Sequence, residues 1–134
     1  MDPIRTIRLR WAHGTLGDIS YTASSFSQYA PPPWQPPINA YRCQESLRIC
    51  VDLAGVERSE IDLQIEGQRL ILRGERDVRE PKDKAGRILQ TIAMEIDYGS
   101  FLRIVHLPDE VDVDRVTAEQ MNGLLWIVLP LKKP

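Results

Sequence analysis

Apolar and polar residues alternate along the middle of this chain with a period of two. The apolar members of the two clearest runs are Leu47, Ile49, Val51 and Leu53, followed by Ile61, Leu63 and Ile65. Strict alternation buries one face of a strand and leaves the other face in water, as in antiparallel sheets. After Gly67 the chain turns into another apolar run, residues 69–74. We therefore predict antiparallel strands in this half of the chain.

Two strands of a different kind follow nearer the C-terminus. Asn122-Gly123 favours a tight turn because both residues tolerate positive φ, and the seven residues after it (124–130) suit a strand buried on both faces. Residues 98–108 form a similar run from glycine to proline, interrupted by Arg103. No amphipathic helix of about 12 residues is evident. Short strands separated by Gly, Pro and Asp turns predict an all-β, immunoglobulin-like antiparallel β-sandwich.

The composition divides the chain into three parts. Residues 1–37 form an N-terminal arm whose end, residues 29–37, holds five prolines in nine positions and predicts a stiff, extended linker. Residues 38–131 form the sandwich, and residues 132–134 a short tail. Connector 54–60 has room for one helical turn. We expect the arm to be partly disordered, because its apolar residues are too sparse to define a domain.

An insertion at residues 75–97 interrupts the sandwich. Its first half is charged and rich in turn residues, whereas its second half, residues 87–97, is apolar enough to form another strand. Loops of this length are uncommon in compact domains and often serve a function. A strand carried on such a loop can pair with an exposed strand edge of another subunit.

Charge and rare residues exclude several classes of function. A net charge of −2 gives no basic face for nucleic acid, and no segment approaches the roughly 20 apolar residues of a membrane span. The first residues lack the apolar core of an export signal, so we expect a cytoplasmic protein. In that compartment Cys43 and Cys50 should be free thiols. Only the distant His13 and His106 are available to activate a cysteine or complete a metal site, so we predict no enzyme, no metal and no cofactor.

Six short motifs, in order and at the expected spacing, resemble the alpha-crystallin domain of the small heat-shock proteins. The matching segments are residues 34–41, 51–56 and 70–76, then 98–101 with Arg103, 107–108, and Ala118 with 122–124. Two departures are Asn39, where the family usually has aspartate, and Ala54, where it usually has proline. The resemblance covers about residues 34–131.

The resemblance implies an ATP-independent holdase that binds partly unfolded client proteins through exposed apolar surface. The long insertion is similar to that of bacterial and plant relatives, in which its strand is exchanged between subunits, and so implies a homodimer. The residues that we expect at that interface are Arg87, Ile88, Leu89, Gln90, Thr91, Ile92, Glu95, Arg103, Ile38 and Tyr41. The alternative is a dimeric adaptor on the same scaffold that binds one folded partner.

Arg103 is a charge on an otherwise apolar strand. A buried charge costs several kcal/mol unless it is paired. Glu95, just before the glycine turn, is the partner that we expect, from the same subunit or from its neighbour. The alternative is an exposed arginine at the edge of a sheet.

The resemblance also implies an apolar groove between the strands at residues 61–66 and 113–120. The lining candidates are Leu63, Ile65, Val116 and Ala118, for which ordinary core packing is the alternative. Most relatives fill this groove with a C-terminal Ile-x-Ile tail. Here the sequence given ends at Lys132-Lys133-Pro134, so we expect a dimer or small oligomer, or co-assembly with a longer-tailed paralogue.

The arm carries apolar residues of its own. Ile7 and Leu9 have the same apolar-x-apolar spacing as the missing tail, which suggests that this segment fills the groove; a chance match is the alternative. Trp11 and Phe26 are candidates for contact with clients or other subunits, whereas Trp34 should pack on its own domain.

Overall fold

Two four-stranded antiparallel sheets make up the folded part of the chain. The computed structural model describes residues 6–8, 32–78, 80–87 and 90–133. The strands are β1 (Thr6–Arg8), β2 (Ile38–Arg42), β3 (Ser46–Asp52), β4 (Ile61–Glu66), β5 (Arg69–Arg76), β6 (Gly99–His106), β7 (Thr117–Met121) and β8 (Leu124–Pro130). One sheet has the order β1-β4-β5-β6 and the other β2-β3-β8-β7. The predicted all-β antiparallel sandwich is thus confirmed.

The core lies between the two sheets and is made by the alternating apolar residues. Leu47, Ile49 and Val51 on β3 and Leu63 and Ile65 on β4 all belong to one buried cluster. The other large members are Leu53, Ile61, Leu70, Leu72, Phe101, Leu125, Ile127 and Leu129. Fully burying one such side chain contributes about 1.5–3 kcal/mol, so the period-two pattern supplies the main stabilisation of the sandwich.

The Asn122-Gly123 turn has the geometry that its sequence predicts. Asn122 has φ of 53° and Gly123 has φ of 80°, which are the positive values of a tight hairpin turn. The turn joins β7 to β8, and the backbone N–H of Leu53 donates to the carbonyl of Gly123 at 2.9 Å. The hairpin is thereby tied to the end of β3.

Two connectors are short 3₁₀ helices. Residues Arg58–Glu60 form one, in agreement with the single helical turn expected between residues 54 and 60. Residues Val113–Arg115 form the other, so the strand expected over 113–120 starts only at Thr117. The reason is local, because the side chain of Asp112 accepts a hydrogen bond from the backbone N–H of Asp114 at 3.2 Å and closes a turn there.

The end of the proline-rich linker is part of the fold. Trp34 forms a parallel bridge with Phe101, donating from its N–H to Ser100 at 3.1 Å and accepting from Leu102 at 3.0 Å. Pro36 is fully buried. The linker therefore reaches the sandwich before β2 begins, and Trp34 packs on its own domain as expected.

Candidate functional site

Strand β2 is an open edge of its sheet. Within the described residues it pairs with β3 alone, from Ile38 opposite Val51 to Arg42 opposite Leu47. Ile38 packs partly against the core, whereas Tyr41 is 51% exposed. An edge with unpaired backbone groups can accept a further strand. Two of the predicted interface residues, Ile38 and Tyr41, thus lie on an edge that is available for pairing.

Arg42 ends this open edge with an ion pair. Its Nε donates to Oδ2 of Asp109 at 2.8 Å. The hydrogen bond and the charge of Asp109 raise the pKa of the Arg42 guanidinium. The pair joins the end of β2 to the loop that follows β6, and it is exposed to solvent, so its effect on stability is small.

The predicted exchange segment is not a strand in the single chain, as far as its residues are described. Arg87 closes a turn by pairing with Asp83, with Nε and Oδ2 at 3.0 Å. Ile88 and Leu89 lie outside the described residues. Gln90, Thr91 and Ile92 are exposed and irregular, and Ile92 is 96% exposed.

Further apolar residues are exposed along the same loop, namely Val78, Met94 and Ile96. These three side chains are about half exposed or more, on a segment without regular secondary structure. Sequence analysis did not single out these three residues, although the apolar character of residues 87–97 was the signal that pointed to two of them.

Arg103 lies on the inward face of β6, near the edge of the sandwich. It lies on β6 opposite Leu72, in the same row as the buried Phe101. Its Nη1 donates weakly to the carbonyl of Pro36 at 3.5 Å. Strand β6 is indeed an edge strand in the described sheet, but Arg103 is only half exposed. Among the described residues, Glu95 is exposed and forms no ion pair with Arg103, so that pair stays a prediction.

The candidate groove residues are packed in the core. Leu63 and Ile65 are each 1% exposed and Val116 is 7% exposed, while Ala118 packs against the same cluster. All four residues thus belong to, or pack against, the one core cluster of the sandwich. In the single chain they are core residues, and their role as a groove lining stays a prediction.

Strand β1 comes from the arm and pairs with β4. Its register places Thr6 opposite Glu66, Ile7 opposite Ile65 and Arg8 opposite Gln64. Of the four arm residues predicted to make contacts, Ile7 is thus located on this strand. Leu9, Trp11 and Phe26 lie outside the described residues.

Arg76 forms a contact centre that sequence analysis missed. Its guanidinium lies 4.3 Å from the centre of the Trp34 ring, and it donates to the carbonyls of Ala54 at 2.9 Å and Asp97 at 2.8 Å. Trp34 donates from Nε1 to the carbonyl of Gly99 at 3.1 Å. Arg76 thus joins the linker, the β3–β4 connector and both ends of the loop between β5 and β6.

An apolar stripe runs along the outer face of the sheet that contains β8. We use the name outer stripe for a set of five side chains on this face, those of Tyr41, Met121, Leu124, Trp126 and Val128. The outer-stripe residues of β8 alternate along the strand with buried residues. Met121 on β7 lies opposite Leu124 on β8, and the Tyr41 ring stacks on the Trp126 ring, with their centroids 6.5 Å apart. Tyr41, Met121 and Leu124 are exposed. Contiguous exposed apolar surface of this kind is typical of interaction sites.

The two cysteines are free thiols in different surroundings. Cys43 is exposed, whereas Cys50 is buried on the outer face of β3 beside Trp126. Burial, and to a smaller extent the charge of Asp52, raises the pKa of the Cys50 thiol.

Over the described ranges, no group of His, Cys, Asp and Glu side chains is placed to hold a metal ion. In the same part of the chain, no helix has the length and apolarity needed to cross a membrane.

Comparison with known proteins identifies relatives of this sandwich. The family described as Hsp20/alpha crystallin matches residues 40–134. Spore protein SP21 of Stigmatella aurantiaca is 33% identical over 135 residues, covering 99% of this chain and 75% of that protein. Heat shock protein 16 of Schizosaccharomyces pombe is 30% identical over 112 residues, covering 84% of this chain and 76% of that protein. The crystal structure of hspA from Xanthomonas axonopodis is similar with a TM-score of 0.65 and 31% identity, covering 75% of this chain and 97% of that chain.

Proposed function

Because this chain belongs to the Hsp20/alpha-crystallin family of small heat-shock proteins, we propose that it is an ATP-independent holdase that keeps partly unfolded proteins soluble. Members of the family are non-enzymatic, form oligomers and bind client proteins. A holdase needs no catalytic group. It needs apolar surface that competes with the aggregation of its clients.

The observation that carries the proposal is the apolar surface left exposed on the described residues. One group lies on the loop between β5 and β6, where Ile92, Met94 and Ile96 are exposed. The other is the outer stripe. Unfolding proteins expose apolar side chains, and a sheet face that carries aromatic rings and a methionine adapts to many such partners. We assign client binding to the outer stripe, together with Trp11 and Phe26 of the arm.

The loop group suits subunit pairing better than client binding. Residues 87–92 of one subunit add to the open β2 edge of another in the proposed homodimer, where their backbone groups gain partners. Residues Arg87, Ile88, Leu89, Gln90, Thr91 and Ile92 form the entering segment, and Ile38 and Tyr41 belong to the receiving strand. Glu95 of one subunit then pairs with Arg103 of the other. The open edge and the exposed apolar loop support this arrangement.

The arm supplies the remaining contacts in the proposal. Ile7 and Leu9 occupy the groove formed by Leu63, Ile65, Val116 and Ala118. The β1–β4 pairing supports that role for Ile7.

An aggregation assay tests the proposal. The full chain is mixed at near-equal molar ratio with two unrelated proteins that aggregate on heating, without nucleotide, and light scattering is followed. A holdase suppresses the scattering of both. If it suppresses neither, the holdase proposal fails and the adaptor alternative gains support.

Matched variants locate the client surface. Met121→Ser combined with Leu124→Ser removes apolar area from the outer stripe, so suppression should weaken at least severalfold. Glu119→Gln is the control, because Glu119 is exposed on the same face of β7, two residues before Met121 and opposite Trp126. Equal activity of the two variants would show that clients bind elsewhere.

A further inference from the structure

The loop between β5 and β6 contains a closed turn at residues 83–87. The backbone N–H of Asp83 donates to the carbonyl of Arg87, and the N–H of Gly86 donates to the carbonyl of Asp83, both at 2.9 Å. The first of these hydrogen bonds places Asp83 and Arg87 opposite each other, as at the end of a hairpin. The chain therefore reverses its direction within residues 83–87.

The side chain of Asp83 holds this turn closed. Its Oδ1 accepts hydrogen bonds from the backbone N–H groups of Ala85 and Arg87, each at 2.9 Å, and its Oδ2 pairs with Nε of Arg87 at 3.0 Å. Aspartate is favoured in turns because its short side chain reaches the backbone N–H groups that follow it. The Asp83 side chain is only 30% exposed, against 80% for that of Arg87. One carboxylate thus joins the two ends of the turn.

Gly86 supplies the backbone conformation that the turn requires. Its φ is 78°, in the left-handed region that side chains disfavour, and a Cβ atom built on it would meet no atom within 4 Å. A substitution at Gly86 therefore disturbs the turn through its backbone conformation and not through a clash. Asp83 and Gly86 can thus be used as independent probes of the same turn.

The turn lies immediately before the segment that we assign to strand exchange. That segment, residues 87–92, begins at Arg87, where the turn ends. The two ends of the loop are joined by the hydrogen bond from Arg76 to the carbonyl of Asp97 at 2.8 Å. Between these two closures, the described residues 90–96 contain no helix or strand. Ordering a free segment on binding weakens the binding, whereas a turn that is already closed fixes in advance the direction in which the segment starts.

We infer that Asp83 is a positioning residue for subunit pairing. Its carboxylate keeps the turn at residues 83–87 closed and thereby directs residues 87–92 toward the β2 edge of a second copy of this chain. Asp83 acts through the turn and needs no contact with the partner. The inference rests on the strand exchange of the proposed function, and it adds the residue that prepares the single chain for that exchange.

Dimer dissociation constants test the inference. Asp83→Ala opens the turn, so a smaller fraction of free chains presents the segment in the pairing direction, and the dissociation constant measured by light scattering across a dilution series should rise about tenfold. Asp83→Asn keeps an oxygen acceptor for the two backbone N–H groups, so the rise should be at most about threefold.

Glu80→Ala is the matched control for charge. Glu80 is exposed on the same loop, outside the turn, and its replacement removes the same negative charge as Asp83→Ala does. The dissociation constant of this control should stay at the value of the parent. An unchanged constant in Asp83→Ala, or an equal rise in Glu80→Ala, would overturn the inference.

The rate of subunit mixing separates positioning from a lost contact. Two pools of the dimer, one of them isotopically labelled, are mixed, and native mass spectrometry follows the mixed dimers, whose formation reports the dissociation rate. Asp83→Ala and Gly86→Val should weaken the dimer through slower association, so their mixing rates should stay within about twofold of the parent rate. Mixing that accelerates in proportion to the dissociation constant would show that Asp83 contacts the partner, and it would refute the positioning role.

Ile92→Ser distinguishes failure of this inference from failure of strand exchange. Ile92 belongs to the entering segment, so its replacement should weaken the dimer through faster dissociation. If Ile92→Ser weakens the dimer and Asp83→Ala does not, the positioning role alone is wrong. If neither variant weakens it, the proposed strand exchange is wrong and the inference falls with it.

Discussion

Arg76 lies over the ring of Trp34, with 4.3 Å between the guanidinium carbon and the ring centre. The arginine ends β5, where the long loop begins, and its hydrogen bond to the carbonyl of Asp97 reaches the other end of that loop. Trp34 belongs to the linker from the arm. This one contact therefore couples the arm, the loop and the sandwich.

Replacing Arg76 by alanine should destabilise the fold and loosen the loop. The variant loses the ring contact and two hydrogen bonds to carbonyls, so we expect the free energy of unfolding to fall by about 1–3 kcal/mol. Urea unfolding measures the loss, and hydrogen exchange near Asp97 reports the loop. Arg76→Lys is the control, since it keeps the charge over the ring but cannot reach both carbonyls. Equal stability of the alanine variant and the parent would contradict the coupling.

Gly74 should tolerate no side chain. A Cβ atom there would clash with the carbonyl of Glu60 and with the ring of Phe101. Gly74→Ala should therefore cost about 2–3 kcal/mol or more, because backbone as well as a core ring must move. Gly86→Ala is the comparison, since Gly86 has open space and only a positive φ of 78°, and should cost about 1 kcal/mol. Thermal unfolding that ranks the two in the opposite order would refute the steric explanation.

The proposed Glu95–Arg103 pair can be tested by exchanging the charges. Arg103→Glu should weaken the dimer, because two carboxylates then meet at the interface, and adding Glu95→Arg should restore it. Light scattering across a dilution series measures both. Arg48→Glu is a control of equal charge change on the other sheet. If the double variant is as weak as the single one, Arg103 has a different partner.

Strand exchange predicts a specific role for Ile92. Replacing it by serine removes an apolar side chain that is 96% exposed in the single chain, so the monomer should be as stable as before. If strand exchange buries Ile92, the dissociation constant of the dimer should rise about fivefold or more. Val78→Ser is the matched control, as Val78 is exposed on the same loop outside residues 87–92. A dimer indifferent to Ile92→Ser would argue against this segment as the exchanged strand.

The raised pKa of Cys50 makes a prediction about pH. The folded state holds the Cys50 proton more tightly than the unfolded chain does, and this tighter binding stabilises the fold. The contribution is complete below the thiol pKa of the unfolded chain, about 8.5, and it is lost as the pH rises through the thiol pKa of the folded state. Unfolding at alkaline pH should therefore depend less on pH in Cys50→Ala than in the parent.

The burial of Cys50 also predicts its reactivity. A thiol reagent should modify exposed Cys43 well before Cys50, and the single variants Cys43→Ser and Cys50→Ala show which thiol reacts. Equal reaction rates would contradict the burial of Cys50.

The amino-acid pattern alone was enough for strands β3, β4 and β8 and for the hairpin turn before β8. Leu47 to Leu53 and Ile61 to Ile65 alternate because each strand has one buried face, and Asn122-Gly123 specifies its own turn. These are local properties, expressed over a few residues. The same local signals, read in order, also carried the resemblance to the family.

Only the tertiary structure decided which positions become edges, core or contacts. Arg103 faces the sandwich margin, Leu63 and Val116 meet in one core, and Arg76 finds Trp34 because the order of the strands brings distant segments together. Alternation with a period of two cannot distinguish an edge strand from a central strand. It also cannot distinguish a core-facing row of side chains from a row that lines a groove. Sequence therefore determined the strands with a strong local pattern and the Asn122-Gly123 turn, while the packing of two sheets determined what each face meets.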